Sequence, residues 1–206
     1  MKTAQQALDA LIEGNSRFAS EVQSQDPQAL DSRRYRLMPS QEPFAIVIGC
    51  SDARVPAEIV FDQGLGDLFV IRVAGNIIAP SQVGSVEFAV ERFGTPLVVV
   101  LGHSRCGAIQ ATLEELERPS ESRSPNLRAI VDRIRPSVET LLESGLRLDS
   151  KLLVEKAVRA NIRVSANQLR HGSQILERLI EKDELRVVGA EYSLENGSVD
   201  FFDYDR

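Results

Sequence analysis

Two short, continuously apolar runs constrain the fold of this chain more than any other feature of its sequence. They are FAIVIG at 44–49 and PLVVVLG at 96–102, and each ends in glycine. Runs of this length without a polar face are typical of strands that are buried on both sides of a sheet. Similar runs predict two more strands at 67–73 and 184–194, and helical patterns occupy 82–93, 106–117, 125–143 and 151–181. This alternation predicts an α/β fold with a mostly parallel central sheet flanked by helices.

The two ends of the chain add a helix and a hairpin to this core. Residues 3–20 carry apolar side chains at helical spacing, whereas residues 21–42 are mainly polar and predict an irregular linker. Near the other end, the turn sequence ENG separates the strand at 184–194 from SVDFFDY. This pattern predicts a C-terminal β-hairpin.

Length and charge favour one soluble domain and exclude two classes of partner. We assign a single domain over 1–206, with an N-terminal helical arm at 1–42 and a core at 43–206. Because residues 3–35 are amphipathic and extend beyond that core, we expect them to pack on a neighbouring subunit. A net charge of −6 argues against nucleic acid, and the chain has no apolar stretch long enough for a membrane span. The charged N-terminal helix lacks the apolar region of a secretory signal, so we expect a cytoplasmic protein.

Residues that bind metals follow the two most apolar strands. Cys50 comes directly after the first, and His103 and Cys106 follow the other, in a chain with only two cysteines and two histidines. Neighbouring parallel strands place their carboxyl ends together, so these side chains should meet. Two thiolates and one imidazole are a zinc ligand set, and three protein ligands with an open fourth position are typical of catalytic zinc. We interpret His171 as a capping or surface histidine, which leaves Asp52 or water for the fourth position.

Asp52 and Arg54 are the next candidates, since an arginine two residues away can hold the carboxylate through a bidentate pair. Each residue also has an ordinary structural explanation. An isolated buried cysteine behaves as a small hydrophobic side chain, and an exposed ion pair contributes little. A redox protein with a disulfide is a poor alternative, because the cysteines do not form a C-x-x-C pair and His103 would have no role.

The sequences CSDAR at 50–54 and HSRCG at 103–107 resemble the paired motifs of the β-class carbonic anhydrases. That family carries Cys-x-Asp-x-Arg followed by His-x-x-Cys, and the likeness here extends over residues 41–112. Either motif alone would be weak, whereas the pair at this separation is specific. The resemblance implies reversible hydration of carbon dioxide to bicarbonate and a proton by zinc-bound hydroxide, in a homodimer or tetramer.

The resemblance also implies roles for individual residues. Cys50, His103 and Cys106 would bind one Zn²⁺ per chain, with Asp52 and Arg54 as the catalytic dyad. The implied substrate-binding residues are Gln41, Phe69, Ala74, Phe88 and Gly107.

Two departures from the family pattern carry expectations of their own. Val47 stands where the bicarbonate-inhibited subgroup has tryptophan, which favours the plant-like subgroup. RVAGN at 72–76 replaces the common R-N-x-A-N, so the pocket floor near Val73 and Ala74 is expected to differ.

The charge of the ligand set predicts how the rate depends on pH. Two thiolates leave zinc formally neutral, so it should acidify water less than a three-histidine site does, and the rate should rise into the alkaline range. We further hypothesise that Arg54 keeps Asp52 off the metal, and that opening of this pair silences the site by letting Asp52 bind zinc. Two alternatives stay open: a carbon disulfide or carbonyl sulfide hydrolase on the same fold, and a non-catalytic protein with a structural zinc.

Overall fold

The computed structural model describes residues 2–22, 29–119, 124–143 and 149–202, with the backbone alone for 29–32 and 143. The helices within these ranges are α1 Ala4–Ala19, α2 Ala29–Arg36, α3 Ala57–Val60, α4 Pro80–Phe93, α5 Gly107–Glu117, α6 Pro125–Glu143, α7 Ser150–His171 and α8 Gln174–Glu181. The strands are β1 Ala45–Gly49, β2 Leu68–Arg72, β3 Leu97–His103, β4 Arg186–Tyr192 and β5 Val199–Phe202. A short 3₁₀ turn at Ala74–Asn76 follows β2.

The five strands form one sheet in the order β2-β1-β3-β4-β5. β1 pairs in parallel with β2 and with β3, and β3 pairs in parallel with β4. β5 returns antiparallel to β4 through the turn that contains Gly197, whose φ of 75° lies in the left-handed region. The predicted mostly parallel α/β sheet and its C-terminal hairpin are therefore confirmed.

Both faces of the sheet are covered, which explains the continuously apolar strands. Ile46 and Val98 lie in one hydrophobic cluster with side chains of α4 to α8. Val47 and Val99 point to the opposite face and lie in a second cluster with α1 and α3. Every residue of β1 and β3 is buried, so neither strand has a solvent face. None of the helices in the described ranges combines the length and apolar character needed to cross a bilayer.

α1 belongs to the hydrophobic core of its own chain. Its apolar residues Ala7, Leu8 and Leu11 are buried in the second cluster. Asn15 fixes the helix further, since its Nδ2 donates to Gly197 O at 2.9 Å and its Oδ1 accepts from Val199 N at 2.7 Å. The apolar face of α1 is thus covered by the sheet of its own chain. The predicted irregular linker at 21–42 is interrupted by α2.

The helix predicted over 151–181 is two helices, α7 and α8. α7 ends at His171, and Ser173 begins α8 by accepting a hydrogen bond from Leu176 N at 3.3 Å. Serine is a strong helix N-cap because its hydroxyl satisfies a free backbone N–H, and this local signal interrupts the helical pattern. His171 is exposed in the last turn of α7, which confirms the surface position expected for it.

Candidate active site

The parallel pairing of β1 with β3 brings the three predicted metal ligands together. Gly49 at the end of β1 is in register with Leu101 in β3, so Cys50 and His103 leave the sheet at the same edge. Cys106 returns to this edge as the residue that precedes α5. The ligand atoms of Cys50, His103 and Cys106 all lie within 4.8 Å of one another, and all three residues are buried.

His103 and Cys106 lie at the two ends of one short turn. His103 is the last residue of β3. A turn links it to Cys106, with Arg105 in the left-handed region at a φ of 57°. Ser104 fastens that turn to the next strand, because its N–H donates to Tyr192 O at 2.9 Å and its Oγ accepts from Leu194 N at 3.0 Å.

The ligand atoms are arranged as a zinc ion requires. Two sulfurs at about 2.3 Å from zinc in a tetrahedral site lie about 3.8 Å apart, and the Sγ atoms of Cys50 and Cys106 are 4.0 Å apart. His103 Nδ1 donates to Ser104 O at 2.9 Å, which leaves the lone pair on Nε2. Within the described residues, this fully buried Nε2 has no hydrogen-bond partner. A buried acceptor of this kind beside two thiols fits a bound cation.

The hydrogen bond between the two sulfurs shifts their pKa values in opposite directions. A hydrogen bond from Cys106 lowers the pKa of Cys50 against the effect of burial. The same hydrogen bond, together with burial, raises the pKa of Cys106. A divalent cation would stabilise both as thiolates, since the thiolate is the form that binds metal.

Asp52 and Arg54 form the bidentate pair predicted from their spacing. Arg54 Nε donates to Asp52 Oδ1 at 2.9 Å, and Arg54 Nη2 donates to Oδ2 at 2.7 Å. These hydrogen bonds hold the pKa of Asp52 well below its usual range, so its carboxylate is charged at neutral pH. Asp52 Oδ2 also lies 3.8 Å from His103 Nε2. The carboxylate is thus beside the ligand cluster while its orientation is set by Arg54.

Arg72 supports the same loop, although sequence analysis predicted no role for it. It ends β2 in register with Gly49. Its Nε donates to Cys50 O at 3.1 Å, and its Nη2 donates to Asp52 O at 2.6 Å. One guanidinium therefore fixes the backbone of both a ligand and a dyad residue. The available signal was a charged residue directly after the apolar run LFVI.

The predicted substrate-binding residues come from different parts of the fold. Ala74 lies in the 3₁₀ turn, Gly107 begins α5 directly after Cys106, and Phe69 packs against the cluster that contains both cysteines. Phe88 is 54% exposed and contacts Phe69 with ring centroids 6.3 Å apart. Gln41 is exposed in the segment before β1.

Comparison with known proteins agrees with this geometry. A family model described as carbonic anhydrase matches residues 45–199. A carbonic anhydrase of Mycolicibacterium smegmatis is 40% identical over 194 residues, which cover 94% of this chain and 91% of that protein. The solved β-carbonic anhydrase CcaA has a TM-score of 0.76 and 27% identity, over 95% of this chain and 87% of that chain. The chain belongs to the β-class carbonic anhydrase family.

Membership of this family makes the chain an enzyme with carbonic anhydrase activity. The alternative of a non-catalytic zinc protein is therefore excluded. A third comparison concerns the fold alone. One of two tetrameric β-carbonic anhydrases of Sordaria macrospora has a TM-score of 0.71 and 22% identity, over 85% of this chain and 92% of that chain.

Proposed function

We propose that this carbonic anhydrase hydrates carbon dioxide reversibly to bicarbonate and a proton, with one Zn²⁺ held by Cys50, His103 and Cys106. The convergence of these three side chains at one sheet edge, with His103 Nε2 buried and unpartnered in the described part of the chain, carries the proposal. Zinc in this site would act as a Lewis acid that makes water nucleophilic near neutral pH.

The dyad of Asp52 and Arg54 orients the nucleophile, and the carboxylate of Asp52 stays ionised. Asp52 accepts a hydrogen bond from the attacking water and turns the lone pair of that water toward carbon dioxide. Arg54 holds the carboxylate by two hydrogen bonds, so Asp52 stays ionised and has one fixed orientation. Because Arg54 is largely exposed, this clamp can open toward solvent.

We further propose that opening of the clamp silences the enzyme, because Asp52 would then be free to occupy the fourth position on the metal. The 3.8 Å between Asp52 Oδ2 and His103 Nε2 supports this step, since it places the carboxylate beside a residue of the ligand set. Crystal structures of the zinc-loaded protein at pH 6 and pH 9 test it. Asp52 is expected on the metal at the lower pH. A carboxylate that stays on Arg54 at both values would contradict the switch.

The substrate pocket is proposed to form between subunits. Ala74 and Gly107 are chain neighbours of Gly75, which donates to Cys50, and of Cys106, and together with Phe69 they would supply an apolar surface for carbon dioxide. Gln41 and Phe88 are exposed in the single chain, which supports their contact with substrate across a homodimer or tetramer.

Two further assignments belong to this proposal. We assign residues 1–206 to one domain with 43–206 as the catalytic core, which the two hydrophobic clusters on a single sheet support. We place the chain in the plant-like subgroup. Val47 supports this, because it is fully buried in the second cluster, where the larger side chain of tryptophan would need a rearranged core.

Stopped-flow hydration of carbon dioxide, measured on zinc-loaded protein from pH 6.5 to 9, tests the proposed function. We expect a rate that rises toward alkaline pH and is lost after chelation and restored by zinc. A flat profile would contradict the two-thiolate ligand set. Parallel assays with carbon disulfide and carbonyl sulfide give the competing outcome: faster turnover of these substrates than of carbon dioxide would overturn the substrate assignment.

A further inference from the structure

The 3₁₀ turn at Ala74–Asn76 has a strained backbone that the surrounding structure must hold in place. Gly75 has a φ of 70°, and Asn76, which is not glycine, has a φ of 42°. Left-handed conformations at residues other than glycine are unfavourable and persist only where neighbouring contacts fix them. A Cβ at Gly75 would lie 2.8 Å from Ile134 Cδ1, so the turn is also tightly packed.

Two buried polar side chains of α7 supply the contacts that fix this turn. Asn161 Nδ2 donates to Gly75 O at 2.8 Å, and Ser165 Oγ donates to Asn76 O at 3.1 Å. The two residues are four apart and therefore lie on the same face of the helix. Each is 2% exposed, among the buried residues of α7. Two consecutive carbonyls of the turn are thus held by one rigid element.

The same turn donates a hydrogen bond to a metal ligand. Gly75 N–H points at Cys50 Sγ with an N···S distance of 3.4 Å. Its direction depends on the backbone angles of the turn, which Asn161 and Ser165 restrain through the carbonyls that follow. An N–H donated to a thiolate withdraws electron density from the sulfur and fixes the position of the sulfur before metal binds. α7 therefore acts on Cys50 through the turn without touching the metal.

We propose that Asn161 and Ser165 are positioning residues of the metal centre, which hold Gly75 N–H on Cys50 Sγ and so tune how Cys50 binds the metal. This inference rests on the metal ligands assigned in the proposed function, but not on the reaction. It differs from a purely structural role, which would change the stability of the fold and leave the metal–sulfur bond unaltered.

The test uses Asn161→Ala and Ser165→Ala in the full chain, with Ser137→Ala as a matched control. Ser137 is also buried, but its Oγ donates to Ile134 O at 2.6 Å within its own helix. Each protein is loaded with cobalt(II) to record the thiolate-to-metal charge-transfer band. Zinc affinity is then measured by competition with a chromophoric chelator, and folding is checked by circular dichroism.

We expect both variants to shift the charge-transfer band to longer wavelength, because the sulfur loses its hydrogen bond and donates more strongly. Zinc affinity should fall about tenfold to a hundredfold, as for other residues that orient metal ligands. Ser137→Ala should leave both readouts at the wild-type value. Should Asn161→Ala fail to fold, Ser165→Ala alone decides the question, since it removes one hydroxyl.

Two other outcomes would overturn the inference for different reasons. Folded variants whose band and zinc affinity match Ser137→Ala would show that α7 only stabilises the turn, while the proposed function stands. A wild-type protein that binds cobalt without any thiolate band would refute the ligand assignment itself, and the inference with it.

Discussion

Replacement of Arg72 gives the sharpest test of how the backbone around the metal ligands is held. Arg72 fixes two carbonyls at once, Cys50 O at 3.1 Å and Asp52 O at 2.6 Å. In Arg72→Gln the shorter amide reaches at most one of them and the charge is lost. With about 0.5–1.5 kcal/mol for each hydrogen bond and one or both bonds lost, we expect the free energy of unfolding to fall by about 0.5–3 kcal/mol.

The effect on catalysis should exceed what this loss of stability explains. Once the carbonyls are released, the loop that carries Cys50 and Asp52 can shift, and a shift of about 1 Å at reacting groups costs about a hundredfold in rate. We therefore expect kcat of carbon dioxide hydration to fall about tenfold to a hundredfold in fully zinc-loaded Arg72→Gln, with KM changed less.

Urea unfolding and stopped-flow hydration measure these two effects. Arg133→Gln is the control, because Arg133 is an exposed arginine whose hydrogen bond among the described residues goes to Ala129 O in its own helix. The control should keep wild-type kcat and change the free energy of unfolding by less than about 0.5 kcal/mol. Wild-type kcat in Arg72→Gln, at full zinc occupancy, would refute the role assigned to Arg72.

Three further changes have defined outcomes. Asp52→Asn removes the charge that orients the nucleophile and should lower kcat about a hundredfold or more. Metal analysis should still find one zinc per chain. A kcat equal to that of the wild type would contradict the role of the Asp52–Arg54 dyad. Gly75→Ala should destabilise the fold by about 1–3 kcal/mol in urea unfolding, because its φ is 70° and its Cβ would lie 2.8 Å from Ile134 Cδ1. Burial raises the pKa of Glu191, so ionisation of this side chain weakens the folded state as the pH rises above its unfolded pKa. Glu191→Gln should therefore stabilise the protein at pH 7, and the gain should vanish below about pH 4; a gain that persists at pH 3 would contradict this explanation.

The strands and the meeting of Cys50, His103 and Cys106 could be predicted from short stretches of the sequence. β1 and β3 are buried on both faces, and this alone makes FAIVIG and PLVVVLG continuously apolar. Cys50 and His103 were placed together because parallel neighbours share an edge. The spacing of Asp52 and Arg54 likewise matched the bidentate pair in the structure.

The features that could not be predicted depend on contacts between distant parts of the chain. Asn161 and Ser165 are polar residues in a helical pattern, and only the position of the 3₁₀ turn shows that they face inward. The amphipathic pattern of α1 identifies an apolar face but not the surface it covers, so its packing on its own sheet was missed. The break at Ser173 had a local signal, a helix N-cap, that the apolar periodicity of 151–181 obscured.

Zinc K-edge X-ray absorption of the zinc-loaded protein tests the central claim most directly, since it reports the atoms bound to the metal. A site built from Cys50, His103 and Cys106 predicts one zinc per chain with two sulfur neighbours at about 2.3 Å and one imidazole nitrogen at about 2.0–2.1 Å. Cys106→Ser should remove one of the two sulfurs. A spectrum without sulfur, or one unchanged in Cys106→Ser, would contradict the account.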